Sequence, residues 1–171
     1  VGATQAGGRR WLREAPGLGN SSKVQPADNP TIFRAGVRRT LHALGAAGKQ
    51  IVWVLNTPEL GADVNACLRP AAGEGLLGPP AACSISSASH DARNAAYRDI
   101  MLSEIRQWNA ERPLQAPAAK VLDPAGVLCE KGRCPLVLDG VPLYRDGDHL
   151  SIQGSDLLAR WLVPQLPALA P

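Results

Sequence analysis

Gly48-Lys49-Gln50-Ile51-Val52-Trp53-Val54-Leu55 decides the fold. Five apolar residues in a row, three of them β-branched, follow a glycine turn and stop before Asn56-Thr57-Pro58. A run this short predicts a strand covered on both faces, as in a parallel sheet. Upstream, Ile32, Phe33, Val37, Leu41 and Leu44 recur at helical spacing until Gly48, and Asn29-Pro30 supplies an N-cap and a first helical residue. Helix, glycine turn and buried strand together predict part of an α/β layer fold.

Downstream, Asn56-Thr57-Pro58-Glu59-Leu60-Gly61 opens a long Gly/Pro-rich excursion through Cys67 and Cys83. A second helix is predicted from about Asp91 to Glu111, with Ala95, Ile100, Met101, Ile105 and Trp108 inward and Pro113 as its stop. Lys120-Val121-Leu122-Asp123-Pro124 reads as a second, shorter strand. Leu136-Val137-Leu138 and Val141-Pro142-Leu143-Tyr144, joined by Asp139-Gly140, predict a hairpin with a type I′ turn. Ser151 caps a last helix through Leu157, Leu158, Trp161 and Leu162 that ends at Pro164. The domain is expected over 29–166, after an irregular segment 1–28 with Trp11 as its anchor and before a short tail at 167–171. Two strands are few for a parallel sheet, so either residues 1–28 add strands or part of the domain lies upstream of Val1.

The 171 residues allow one domain with a real core. Apolar residues at 45% and charged residues at 19% favour folding over disorder, while 15 Pro and 17 Gly predict long loops. The net charge of +3 is spread out, and its arginine groups (Arg9, Arg10 and Arg13; Arg34, Arg38 and Arg39) lack the interleaved aromatics of a single-strand binder. Nucleic acid is therefore not an expected partner. No apolar run has the length of a membrane span, so direct membrane insertion of this chain is not expected either.

The four cysteines, Cys67, Cys83, Cys129 and Cys134, do not form two matched metal knuckles. Neither a metal nor a cofactor is expected. Of three connectivities, the two sequence-local pairs, Cys67 with Cys83 and Cys129 with Cys134, each close a Gly/Pro-rich loop. Disulfides imply an oxidising compartment, periplasmic or extracellular.

The chemistry-bearing stretch is Tyr144-Arg145-Asp146-Gly147-Asp148-His149-Leu150-Ser151. Spacing alone suits a solvated Asp-Gly turn better than a site. Its position changes that balance, because the last strand-to-helix connection of an open α/β sheet lies at the ligand-bearing edge. A histidine there can accept and return a proton near neutrality, and a carboxylate on its other nitrogen fixes the tautomer. Asp146 is expected to orient His149, with Asp148 as its competitor. His42, His90, Trp53, Trp108 and Trp161 read as surface, helix-entry or core residues, and Ser21, Ser22, Ser86, Ser87 and Ser89 as loop hydrogen-bonders away from any strand-to-helix turn of the required kind.

The run Gly140 to Ser151, with Gly154 after it and the Cys129/Cys134 pair before it, resembles the end of the SGNH hydrolase-type domain fused to membrane-bound acyltransferases of the acyltransferase-3 type. Asn56-Thr57-Pro58-Glu59, followed by Gly61, Asp63 and Cys67, resembles the mid-domain Pro-Glu segment of the same group. The resemblance spans roughly Thr31 to Leu166. It implies a three-layer, flavodoxin-like α/β fold and serine acyl transfer, in which a membrane-embedded acyltransferase domain supplies the acyl group and the SGNH domain passes it to a surface glycan. The family's Asp and His fall on Asp146 and His149.

The family's nucleophile lies in a Gly-Asp-Ser block, and this sequence contains none. Its oxyanion-hole glycine and asparagine also come early in the domain, so Asn56 does not inherit that role. The missing block and the non-methionine start lead to the expectation that the chain is the C-terminal part of a longer domain whose serine lies upstream, rather than a degenerate copy. An extracytoplasmic O-acyltransferase or esterase is the resulting expectation. A noncatalytic module that binds glycan or docks on a membrane partner is the competitor, and it would bind without turnover.

Overall fold

The fold is described from a computed structural model, for residues 29–59, 61, 64, 67 and 83–167. The expectations for residues 1–28, including Trp11, Ser21 and Ser22, and for Asp63 lie outside the described residues. The chain has the expected α/β class, with helices and small parallel and antiparallel sheets.

The chain packs as two units, one containing described residues 29–52 and 96–120 and the other 53–95 and 121–167. Helix α2 (Ser87–Glu111) and the paired strands β1 (Ile51–Val54) and β3 (Ala119–Leu122) contribute residues to both. Ile51 and Leu55 are buried, and Leu55 N–H donates to the Leu122 carbonyl at 2.9 Å. Val54 remains 38% exposed, so this strand is not covered on both faces along its whole length as expected.

In the first unit, α1 (Asn29–Ala46) buries Val37, Leu41 and Gly45, while Leu44, expected on the apolar stripe, is 39% exposed. Phe33 packs on Tyr97, Arg38 on Glu104 and His42 on Trp108, so α1 and this part of α2 (Ser87–Glu111) run in the same direction. The inward face of α2 carries Ile100, Met101, Ile105 and Trp108, as periodicity predicts. Ala95 faces solvent, and Asn94 and Glu104 are buried instead.

Glu104 is 2% exposed and accepts from Arg34 Nη1 at 2.7 Å and Arg38 Nε at 2.8 Å. Burial by itself would raise this carboxyl, but the bonds from Arg38 and Arg34 outweigh it and hold the group below its usual range. An ion pair thus replaces an apolar contact on a helix face, and it needs residues from two elements.

In the second unit, Val64, Cys67, Cys83, Cys134, Leu136, Leu143 and Tyr144 form the core. Cys67 is bonded to Cys83 and Cys129 to Cys134, the two local pairings expected. These bridges flank two strands absent from the sequence reading, β2 (Ser84–Ser86) and β4 (Arg133–Pro135), which pair antiparallel with Ile85 opposite Cys134. A one-turn helix, α3 (Ala125–Leu128), precedes the second bridge. The hairpin forms as predicted, with β5 (Val137–Leu138) paired to β6 (Val141–Pro142) and positive φ at both Asp139 (49°) and Gly140 (78°). Helix α4 (Ile152–Leu162) follows, and a 3-10 turn (Val163–Gln165) continues it.

Two expectations need correction at the start of α2. The helix begins at Ser87, four residues before Asp91, because Ser86 Oγ accepts the Ser89 N–H at 3.0 Å and caps the first turn. Ser86 and Ser87 therefore do lie on a strand-to-helix junction. Their bonds remain structural: Ser86 Oγ also meets Ser89 Oγ at 2.7 Å, and Ser87 N–H donates to the Gly132 carbonyl at 2.9 Å.

Candidate active site

Asp146, Asp148 and His149 occupy the connection between β6 and α4, and local chemistry sets its shape. Ser151 anchors the far end: its Oγ accepts the Gly154 N–H at 3.0 Å and donates to the Pro142 carbonyl at 2.6 Å, while its own N–H donates to the Leu143 carbonyl at 2.9 Å. Gly154 lies so close to the Leu143 carbonyl that a Cβ would collide with it, which explains a glycine inside this helix. Tyr144 bridges to Leu150, and Arg145 N–H donates to the His149 carbonyl at 2.8 Å, closing the neck of the loop. Tyr144 is 1% exposed, its hydroxyl has no hydrogen-bond partner among the described residues, and burial raises its pKa so that the phenol stays neutral.

Inside the neck, Asp146 is the acceptor for most donors. Its Oδ1 accepts the backbone N–H of His149 at 2.8 Å and of Asp148 at 3.2 Å. The imidazole Nδ1 lies 2.8 Å from Oδ1 and 3.1 Å from Oδ2. The His149 backbone bond is the largest cause holding the Asp146 carboxyl well below the usual carboxylate range, with smaller contributions from Asp148 N–H and the imidazole. Because a carboxylate oxygen only accepts, Nδ1 is the protonated nitrogen and Nε2 carries the basic lone pair.

Asp148 also reaches the ring, with Oδ1 3.0 Å from Nδ1. The expected competition is thus resolved as a shared contact, in which Asp146 additionally holds the backbone. Arg145 Nη2 approaches Asp146 Oδ2 at 3.3 Å, giving the outer carboxylate oxygen a cation.

One donor atom each from Asp146, Asp148 and His149 falls within 4.8 Å, so these three could also gather round a cation. The bonds present are those of an imidazole held by carboxylates.

The pair lies on open surface: His149 is 63% and Asp146 43% exposed. A cavity of about 420 Å³ lined by Cys67, Cys83, Lys131, Val137 and Leu138, among others, includes neither residue. Among the candidate serines that are described, none bonds to His149. Ser86 and Ser89 bond each other, and Ser87 Oγ lies 3.8 Å from Cys134 Sγ. His90 is 1% exposed, beside Asn94 in the first turns of α2, and His42 stays on the surface with its ring edge-on to Trp108. The Pro-Glu segment joins the site through Gly61, whose N–H donates to the Gly147 carbonyl at 3.2 Å. That contact links two stretches the sequence could only set side by side as fragments of one resemblance.

No described helix is long and apolar enough to cross a membrane. Comparison with curated proteins and with solved structures finds no match. Residues 6–164 match the family described as "SGNH domain (fused to AT3 domains)", a match that starts within the 1–28 segment. With nearly its whole length matched, the chain belongs to that family of SGNH hydrolase/acyltransferase domains.

Proposed function

We propose that this chain is the extracytoplasmic SGNH domain of an O-acyltransferase, passing an acetyl group from a membrane-embedded acyltransferase domain to a hydroxyl of a surface glycan. The single observation that carries the proposal is the 2.8 Å contact between His149 Nδ1 and Asp146 Oδ1, which leaves Nε2 basic. In the reaction, Nε2 of His149 takes the proton of a serine hydroxyl as the oxygen attacks the acyl carbonyl. The tetrahedral intermediate collapses, and His149 returns the proton to the departing group. A glycan hydroxyl then gives its proton to His149, attacks the acyl-enzyme and releases the serine, so water in its place makes the same site an esterase. Asp146 stabilises the imidazolium at both stages.

The sequence has no Gly-Asp-Ser, so the serine belongs outside these 171 residues in this proposal. The two disulfides support an oxidising compartment, and the fusion recorded for the family supports a tether at the membrane.

Hydrolysis of an activated acetate ester tests the assignment, using the isolated chain and one extended upstream. Turnover is expected only from the extended chain, and turnover by the isolated chain overturns the external nucleophile. If His149→Ala leaves the extended chain's rate within a few-fold, His149 is not the base. The missing Gly-Asp-Ser also favours a second reading, a glycan-binding module, which requires saturable binding that survives His149→Ala and no turnover from either chain.

A further inference from the structure

The loop carrying Asp146 and His149 is tied through its backbone to the segment around Gly61. Among the described residues, the Gly61 N–H to Gly147 carbonyl bond is the one backbone hydrogen bond joining 146–149 to a distant segment. Gly147 separates the two carboxylates, so displacing its peptide displaces both. Within the loop Asp146 Oδ1 and the Arg145–His149 bond hold the imidazole, and Gly61 ties that loop to the neighbouring segment.

Gly61 has φ of +61°, a conformation glycine adopts without strain. Over it lies the guanidinium of Arg93: a Cβ built on Gly61 would stand 3.4 Å from Nη1, 3.5 Å from Nη2 and 3.9 Å from Cζ. The same Nη1 donates to the Glu59 carbonyl at 3.0 Å. One planar group thus covers Gly61 and fixes the peptide two residues before it. Pro58, the residue before Glu59, is fully buried. The arginine itself stands on α2, whose first turn is secured by the Ser86 cap and by the bond from Ser87 N–H to the Gly132 carbonyl.

We infer that Arg93 is a positioning residue for the Asp146–His149 pair, acting through its contacts with the Glu59 carbonyl and Gly61 and through the Gly61–Gly147 hydrogen bond. Arg93 touches neither member of the pair. Its effect on turnover rests on the acyl-transfer proposal, whereas its effect on the loop does not. A lysine can donate to the Glu59 carbonyl but offers no plane to cover Gly61, so Arg93→Lys should restore the geometry only in part.

Two measurements test this. In the 171-residue chain, Arg93→Ala should speed hydrogen exchange at the Gly61 amide and weaken or broaden the Nδ1–H signal of the His149 ring, with Arg93→Lys intermediate. In the chain extended upstream, Arg93→Ala should lower kcat for an activated acetate ester by up to about 100-fold while KM changes little. A folded Arg93→Ala chain with unchanged Gly61 exchange and an unchanged His149 signal overturns the inference. If Arg93→Ala does not fold, Arg93→Gln, which keeps a donor and loses the plane, must show the same changes or the inference falls. If His149→Ala leaves turnover intact, the acyl-transfer proposal fails by itself, and the Gly61 and His149 signals still decide the role of Arg93.

Discussion

Oδ1 of Asp146 accepts both the backbone N–H of His149 and, at the same 2.8 Å, its ring Nδ1. One oxygen therefore fixes where the His149 main chain runs and which way its imidazole faces. The three-residue spacing makes this possible, since the turn through Gly147 returns the chain to the carboxylate that started it. An orienting carboxylate that also shapes its loop links the stability of the loop to the protonation of Asp146.

In the extended chain, His149→Ala is expected to lower turnover of an activated ester by roughly 100-fold or more, the usual size of a general-base contribution. Asp146→Asn should lower it too, because an amide can donate to Nδ1 and favour the wrong tautomer. Asp148→Asn should cost only a few-fold, since Asp146 keeps both backbone bonds. Steady-state kinetics of the three variants give the order, and an Asp148 effect larger than that of Asp146 would reverse the assigned roles.

The depressed Asp146 carboxyl predicts a pH dependence of stability. The folded pKa lies below the reference value of 3.8, so the group contributes its full stabilisation above that value and loses it as the pH falls towards the folded pKa. Denaturant titrations of the parent and Asp146→Asn chains should therefore differ at pH 7 by an amount that is constant on the neutral side and shrinks in acid. A gap that widens on acidification contradicts the sign.

Glu104 is buried, whereas Arg34 and Arg38 are 43% and 49% exposed. Removing both arginines leaves a carboxylate in the core with water as its poor remaining partner, so the Arg34→Ala/Arg38→Ala chain should lose about 3 kcal/mol. Glu104→Met leaves two arginines that can turn to solvent, and it should cost clearly less. Equilibrium unfolding of the two chains measures the difference.

Gly154→Ala should strongly destabilise the chain. The added methyl meets the carbonyl and Cα of Leu143, which are backbone and cannot rotate aside. A loss of about 2 kcal/mol or more is expected. In a folded variant the helix must shift, breaking the Ser151 N–H to Leu143 carbonyl bond, and faster exchange at the Ser151 amide would report it.

The two disulfides should differ in their contributions. Cys67 and Cys83 are 16 residues apart, while Cys129 and Cys134 are 5 apart. Loop-closure entropy then predicts about 3 kcal/mol for the first and about 2 kcal/mol for the second. Paired Cys→Ala variants, unfolded in denaturant without reductant, test that order.

Elements with strong local signals were readable from sequence. The apolar run at Ile51, the spacing of Ile32, Phe33, Val37 and Leu41, the Asp139-Gly140 turn and the Ser151 cap each encode their conformation within a few residues. Strands β2 and β4 were not readable. Ser84-Ile85-Ser86 and Arg133-Cys134-Pro135 carry no alternation long enough to register, and they become strands by pairing with each other between two disulfides. Likewise, nothing local marks Glu104 as buried, because its partners sit about 70 residues away on α1.

For the site, the sequence by itself determined that Asp146, Asp148 and His149 share a glycine-containing loop before a capped helix, since turn and cap chemistry act over three or four residues. Only the tertiary structure decided that Asp146 holds both backbone and ring, that Asp148 shares the ring, and that the loop hangs from Gly61 beneath Arg93. The physical reason is range. A hydrogen bond between Gly61 and Gly147 depends on how the chain between them packs, and no spacing within either stretch records that.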